Sequence, residues 1–125
     1  LGDVYKRQAR EDARQFIQAR LDAGEKVRGY EVDRRLKERF EQLGCAQYLM
    51  HRTGHNIGHR CHGIGANLDD YETHDDRCLL PGTMFSIEPG LYTDKYGVRL
   101  EYDVHITSEG ETKVYGPVQD EILVI

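Results

Sequence analysis

Long apolar runs, basic clusters and paired cysteines are all missing from this 125-residue chain. Its longest uninterrupted apolar stretch is the four residues Ile122 to Ile125, far below the roughly 20 that a membrane-spanning helix needs. No membrane partner is expected. No run of Lys and Arg exceeds two residues, and 17 basic side chains stand against 22 acidic ones, for a net charge of -5. A phosphate backbone is held by a basic face that displaces counterions, so this balance argues against nucleic acid as a partner. Cys45, Cys61 and Cys78 are odd in number, irregularly spaced and form no CxxC. Reduced thiols in a cytoplasmic protein fit that usage, as does the lack of a charged, apolar and small-residue signal at the start.

What is present is a heavily charged chain, with a mean hydropathy of -0.69. A single domain of this length can still bury roughly two thirds of its unfolded surface. Position 1 is Leu rather than Met, which leads us to expect a piece of a longer protein. Residues 1–8, Leu-Gly-Asp-Val-Tyr-Lys-Arg-Gln, resemble a translated sequencing-adaptor read-through. They are expected to be a non-native lead-in, leaving residues 9–125 as the structural unit.

Apolar positions Ala9, Ala13, Phe16, Ile17 and Leu21 recur at helical spacing before Gly24, predicting a helix from Ala9 to Ala23. A second stripe, Val32, Leu36, Phe40 and Leu43, closes at Gly44. From His51 to Gly65 the texture changes, with four glycines and four histidines in fifteen residues. That density suits a functional loop. Period-two alternation then predicts a strand from Met84, with Met84, Ser86 and Glu88 on one face, ended by Pro89-Gly90. A longer strand is expected from Val98 to Ile106, apolar at Val98, Leu100, Tyr102, Val104 and Ile106 and polar at Arg99, Glu101, Asp103 and His105. Ser108-Glu109-Gly110 reads as a hairpin turn into Thr112 to Tyr115, and Glu121 to Ile125 as a closing strand. Helices first and antiparallel strands later give an α+β class.

Imidazole and carboxylate groups on rigid elements suit a divalent transition metal, and a carboxylate can bridge two ions. His55 in Gly54-His55-Asn56-Ile57-Gly58, Glu88 at a strand end and Glu101 in mid-strand offer them. HRTGHNIG, FSIEPGLY and GVRLEYDV, in that order, resemble three successive motifs of the pita-bread metallopeptidases. That family includes methionine aminopeptidases, Xaa-Pro aminopeptidases, prolidases and creatinase. The HRTGH opening, the phrase VRGYEVDR and the pairing of Arg99 with Glu101 resemble the Xaa-Pro aminopeptidase and dipeptidase branch.

The resemblance implies that residues 9–125 are the C-terminal half of the catalytic domain, with two helices packed on a curved, mainly antiparallel sheet. It implies two divalent ions in the complete protein, Mn first, with Co or Zn as alternatives. His55 is then a metal ligand, Glu88 a ligand that also exchanges protons with the attacking water, and Glu101 the bridging carboxylate. His62 corresponds to a catalytic histidine that touches the substrate carbonyl, His51 to a substrate-pocket histidine, and Arg99 to a residue holding a substrate carboxylate or a structural Asp. The implied reaction is hydrolysis of the bond between an N-terminal residue and proline in a peptide substrate. A homodimer is expected by analogy alone.

Departures accompany the match. Asn56 stands where the family commonly has Gly, and Gly63 where it often has Glu. The family's remaining two ligands are aspartates that would lie upstream of Ala9, so the isolated chain is expected to be inactive. His59, His74, Asp69, Asp70, Asp75 and Asp76 suggest a second metal site, but an acidic loop is more simply read as solvated. Two other classes stay open: a non-catalytic binding module of the same fold, and a creatinase-like hydrolase of a small C-N substrate without metal.

Overall fold

A computed structural model of the chain describes residues 2–119, with side chains from Lys6 onward. Helix α1 runs from Gly2 to Asp22 and α2 from Gly29 to Gln42. A short 3-10 turn over Ala46–Tyr48 follows. Six strands come after it: β1 (Asn56–Ile57), β2 (Met84–Ile87), β3 (Gly90–Tyr92), β4 (Gly97–Arg99), β5 (Tyr102–Ile106) and β6 (Thr112–Tyr115). The first, second, fifth and sixth make an antiparallel sheet in the order β1-β2-β5-β6, while β3 and β4 pair separately. This is the α+β arrangement of two helices on an antiparallel sheet that the sequence predicts. The expected closing strand, Glu121 to Ile125, lies outside the described residues. No described helix is long and apolar enough to cross a membrane.

The helical stripes form the core. Ala9, Ala13 and Ile17 of α1 and Val32, Leu36 and Phe40 of α2 are buried against Phe85, Ile87, Tyr102, Val104 and Ile106 of the sheet. Each large aliphatic or aromatic side chain so buried contributes roughly 1.5–3 kcal/mol. The first helix starts at Gly2 rather than at Ala9, because Lys6 and Arg10 continue its inward face. Both are almost wholly buried, head groups included. The Arg10 guanidinium lies 4.2 Å from the centre of the Tyr102 ring. Read as charges, these residues hide the stripe.

The expected strand from Val98 to Ile106 is instead two strands, β4 and β5, separated at Leu100-Glu101. The cause is on the partner strand. Ile87 stands opposite Tyr102, and Gly90 opposite Arg99, with equal numbers of residues between them on the two strands. The register therefore carries through without a slip, setting Glu88 opposite Glu101 and Pro89 opposite Leu100. Pro89 has no N–H to give the ladder; its carbonyl accepts from the Leu100 N–H at 3.3 Å. One long bent hairpin is thus divided where the carboxylates face each other.

Candidate metal centre

His55 reaches the sheet through the segment that leads into β1. On α2 the buried Asp33 carboxylate accepts from the Thr53 N–H at 2.9 Å and the Thr53 hydroxyl at 2.6 Å, and from the Asp70 N–H at 2.7 Å. Burial pushes Asp33 above its ordinary carboxylate value despite those bonds. From this anchor the chain runs beside β2. The Glu88 N–H donates to Thr53 O at 2.8 Å and the Ser86 N–H to His55 O at 2.9 Å. Gly54 is required here, because a Cβ would sit 1.9 Å from the Ser86 carbonyl oxygen. The close approach lets the His55 N–H donate to Ser86 Oγ at 3.0 Å, and Ser86 Oγ donates in turn to Glu88 Oε1 at 3.2 Å.

The His55 ring is oriented by its other nitrogen. A carbonyl only accepts, so Nδ1, 3.1 Å from Asn56 O, carries the proton. Nε2 faces Glu88 Oε1 at 3.4 Å, and a histidine whose second nitrogen is tied to a carbonyl is the arrangement found at metal centres. Donor atoms of His55, Glu88 and Glu101 lie within 4.8 Å of one another. Like charges directly opposite across a strand pair repel. Glu101 is accordingly pushed above its ordinary value, first by partial burial and then by Glu88, against a smaller opposing pull from Arg99. One imidazole nitrogen and two carboxylates pointing at a common space fit a divalent transition metal.

All six residues singled out from the sequence line one open cleft of about 420 Å³: His51, His55, His62, Glu88, Arg99 and Glu101. Arg99 Nη1 lies 3.5 Å from Glu88 Oε2. His51 pairs Nε2 with the Tyr92 hydroxyl at 2.9 Å, and the rings of His55 and His62 are 4.2 Å apart. Three lining residues were not anticipated: Arg52, Cys61 and Glu72. Arg52 spans Asp69 and Glu72 at 3.7 and 3.6 Å. Cys61 adjoins His62 in sequence, which was the available signal.

The acidic loop is occupied otherwise. Asp69 accepts from the N–H groups of Tyr71 and Glu72 and from the Thr73 hydroxyl. Asp75 is held by Asn67 and Arg77, and Asp70 by Arg34 and His74. Among the described residues, His59, His74, Asp69, Asp70, Asp75 and Asp76 join no group with metal-ligand spacing.

The two sequence departures are one feature in space. A Cβ at Gly63 would lie 2.1 Å from Asn56 Oδ1. Asn56 Nδ2 donates to Met84 O at 3.1 Å, and Oδ1 accepts from the Gly65 N–H at 3.0 Å. The asparagine amide fills the space that a side chain at position 63 would need.

A profile of metallopeptidase family M24 matches residues 6–108. A probable dipeptidase PepE of Mycobacterium tuberculosis is 36% identical over 90 residues, 70% of this chain and 23% of the relative. An Xaa-Pro dipeptidase of Lactobacillus helveticus is 32% identical over 102 residues, covering 78% of this chain and 26% of that one. The chain thus spans about a quarter of the length of these curated relatives. Among solved structures, an X-Pro aminopeptidase from Thermotoga maritima superposes with a TM-score of 0.79 at 25% identity, over 98% of this chain and 32% of that one. The dipeptidase PepE of Mycobacterium ulcerans gives 0.79 at 26% identity, over 97% and 30%.

Proposed function

The chain belongs to metallopeptidase family M24, and from that premise we propose that it supplies His55, Glu88 and Glu101 to the metal centre of an Xaa-Pro-cleaving peptidase. The observation that carries this reading is the convergence of the three donors within 4.8 Å, with the carboxylates opposed in register. The names of the relatives, dipeptidase and Xaa-Pro dipeptidase, support a dipeptide or short-peptide substrate with proline after the scissile bond. Mn, with Co or Zn as alternatives, suits the mixed imidazole and carboxylate set. When bound, such ions lower the pKa of water and polarise the scissile carbonyl.

The chain's own residues have distinct parts in that reaction. Glu88, steadied by Ser86 Oγ, holds the proton taken from the attacking water. Glu101 faces it across the hairpin and would supply the second carboxylate to the bound metal. His62, exposed at the cleft mouth, donates to the carbonyl oxygen as negative charge develops there, a role commonly worth about a hundredfold or more in rate. His51, set by the Tyr92 hydroxyl, lines the substrate pocket. Arg99 balances Glu88 and reaches the substrate carboxylate.

The family's two further aspartate ligands match no motif in residues 9–125. We therefore assign catalysis to the complete protein and not to this chain alone. The test is Xaa-Pro dipeptide hydrolysis with added Mn or Co, comparing the chain, a version extended upstream, and Glu101→Ala and His62→Ala in the extended version. Turnover should require the extension, fall to background in Glu101→Ala, and fall by about a hundredfold in His62→Ala. An extended protein indifferent to Glu101→Ala would overturn the assignment.

A further inference from the structure

Cys61 stands apart from the other two thiols. Cys45 and Cys78 are half-buried, whereas Cys61 is exposed and lines the same cleft as His55 and His62. The donor atoms of His55, Cys61 and His62 lie within 4.8 Å of one another, a second group of metal-ligand spacing that shares one member with the carboxylate group. Its chemistry differs from that group. One thiolate and two imidazoles form a soft-to-borderline set that favours Zn²⁺ or Cd²⁺, whereas two carboxylates favour harder ions such as Mn²⁺.

The surrounding backbone suits such a site. The segment carrying Cys61 and His62 is a tight excursion, closed by the Gly58 N–H donating to Arg60 O at 3.1 Å and the Gly63 N–H to Asn56 O at 2.8 Å. Its two donor side chains are exposed and can rotate inward. Bonds of about 2.3 Å to sulfur and 2.0–2.1 Å to nitrogen need donor separations of roughly 3.3–3.8 Å, a closure of at most about 1.5 Å from separations within 4.8 Å. His55 is already oriented by Asn56 O, so one buried ligand is in place and the two exposed ones come to it.

The geometry points to His55, Cys61 and His62 as a thiolate-imidazole site for a soft divalent cation, in competition with the carboxylate site for the one Nε2 of His55. Binding displaces the thiol proton to solvent and forms a metal-sulfur bond, with no change of oxidation state. A soft cation held there takes His55 from Glu88 and Glu101 and His62 from the substrate. The cleft then carries a built-in inhibitory mode selective for thiophilic metals.

The competition rests on the proposed metal centre; the thiolate site does not, and the experiment separates them. Cd²⁺ is titrated into the chain while the ultraviolet thiolate-to-cadmium charge-transfer band is followed. A parallel titration follows release of Mn²⁺ by its electron paramagnetic resonance signal. The band should appear at one equivalent, vanish in Cys61→Ser, which keeps Cys45 and Cys78, and weaken in His62→Ala. Cd²⁺ affinity should fall at least about tenfold in Cys61→Ser, since even loss of a group that only orients a ligand costs that much. Glu101→Gln should leave the band intact. Absence of the band, or its persistence in Cys61→Ser, would overturn the site. Full retention of bound Mn²⁺ at saturating Cd²⁺ would overturn the sharing of His55.

Discussion

Replacing Glu101 by Gln should move stability in opposite directions with and without metal. The donor atoms of Glu88 and Glu101 lie no more than 4.8 Å apart. Two unit charges at that distance repel by about 3 kcal/mol at an effective dielectric of ~20 and by about 1 kcal/mol in water. Glu101 is exposed to solvent and Arg99 lies 3.5 Å from the other oxygen of Glu88, so the lower figure governs and is further reduced. In chelator, Glu101→Gln should therefore stabilise the chain by roughly 0.5–1 kcal/mol. With a urea m-value of about 1–3 kcal/mol/M, the unfolding midpoint rises by a few tenths molar. Mn²⁺ reverses the order. A ligand at a hundred times its dissociation constant stabilises the native state by about 2.7 kcal/mol, and the variant should lose most of this with one of its two carboxylate donors. Urea unfolding of both proteins, in chelator and across a Mn²⁺ series, should give curves of stability against metal that cross. A variant less stable than wild type in chelator, or one that gains as much from Mn²⁺, would rule out the opposed carboxylates as a repulsive pair that a cation relieves.

Gly63→Ala should cost about 2 kcal/mol in chemical denaturation, by displacing the Asn56 amide from two hydrogen bonds worth about 1 kcal/mol each. In an Asn56→Gly background most of that cost should disappear, leaving only the tight approach of the new Cβ to the Gly58 nitrogen at 3.0 Å, and equal costs in both backgrounds would contradict the shared space. Tyr102→Phe should lower stability by about 1 kcal/mol in thermal unfolding, because the buried hydroxyl donates to Arg10 O at 3.0 Å, tying α1 to the sheet. Asp75 is held below its ordinary value, by Arg77 first and against burial. Its contribution is present above the unfolded value near 3.8 and is lost as pH falls through the lower folded value. Acid unfolding followed by circular dichroism should therefore be shallower below about pH 4 in Asp75→Asn, and an unchanged profile would count against that role.

The helices were legible because their buried positions repeat at the helical period. Ala13 and Ile17, or Val32, Leu36 and Phe40, announce a face before any partner is known. Lys6 and Arg10 conceal the start of the same face, since burial leaves no mark in a polar letter. The break at Leu100-Glu101 was illegible for a different reason. The register is unbroken across it, so alternation continues on the interrupted strand, and the interrupting proline belongs to the other strand. His55, Glu88 and Glu101 were readable as ordered motifs. Cys61 was not, because a thiol beside a histidine acquires meaning only when a fold brings a second imidazole to it.

The unslipped hairpin around Pro89 also divides this region into lengths that can change and lengths that cannot. The turn at Thr93–Tyr96, where Thr93 and Tyr96 close on each other through backbone and hydroxyl bonds, lies beyond the carboxylates. Residues added there lengthen the tip and leave every pairing nearer the cleft untouched. One residue inserted between Ile87 and Gly90, or between Arg99 and Tyr102, would turn one carboxylate to the opposite side of the ribbon. Homologues should therefore vary freely in length at the tip and hold both short links invariant, and grafted peptides should be tolerated at Asp94-Lys95.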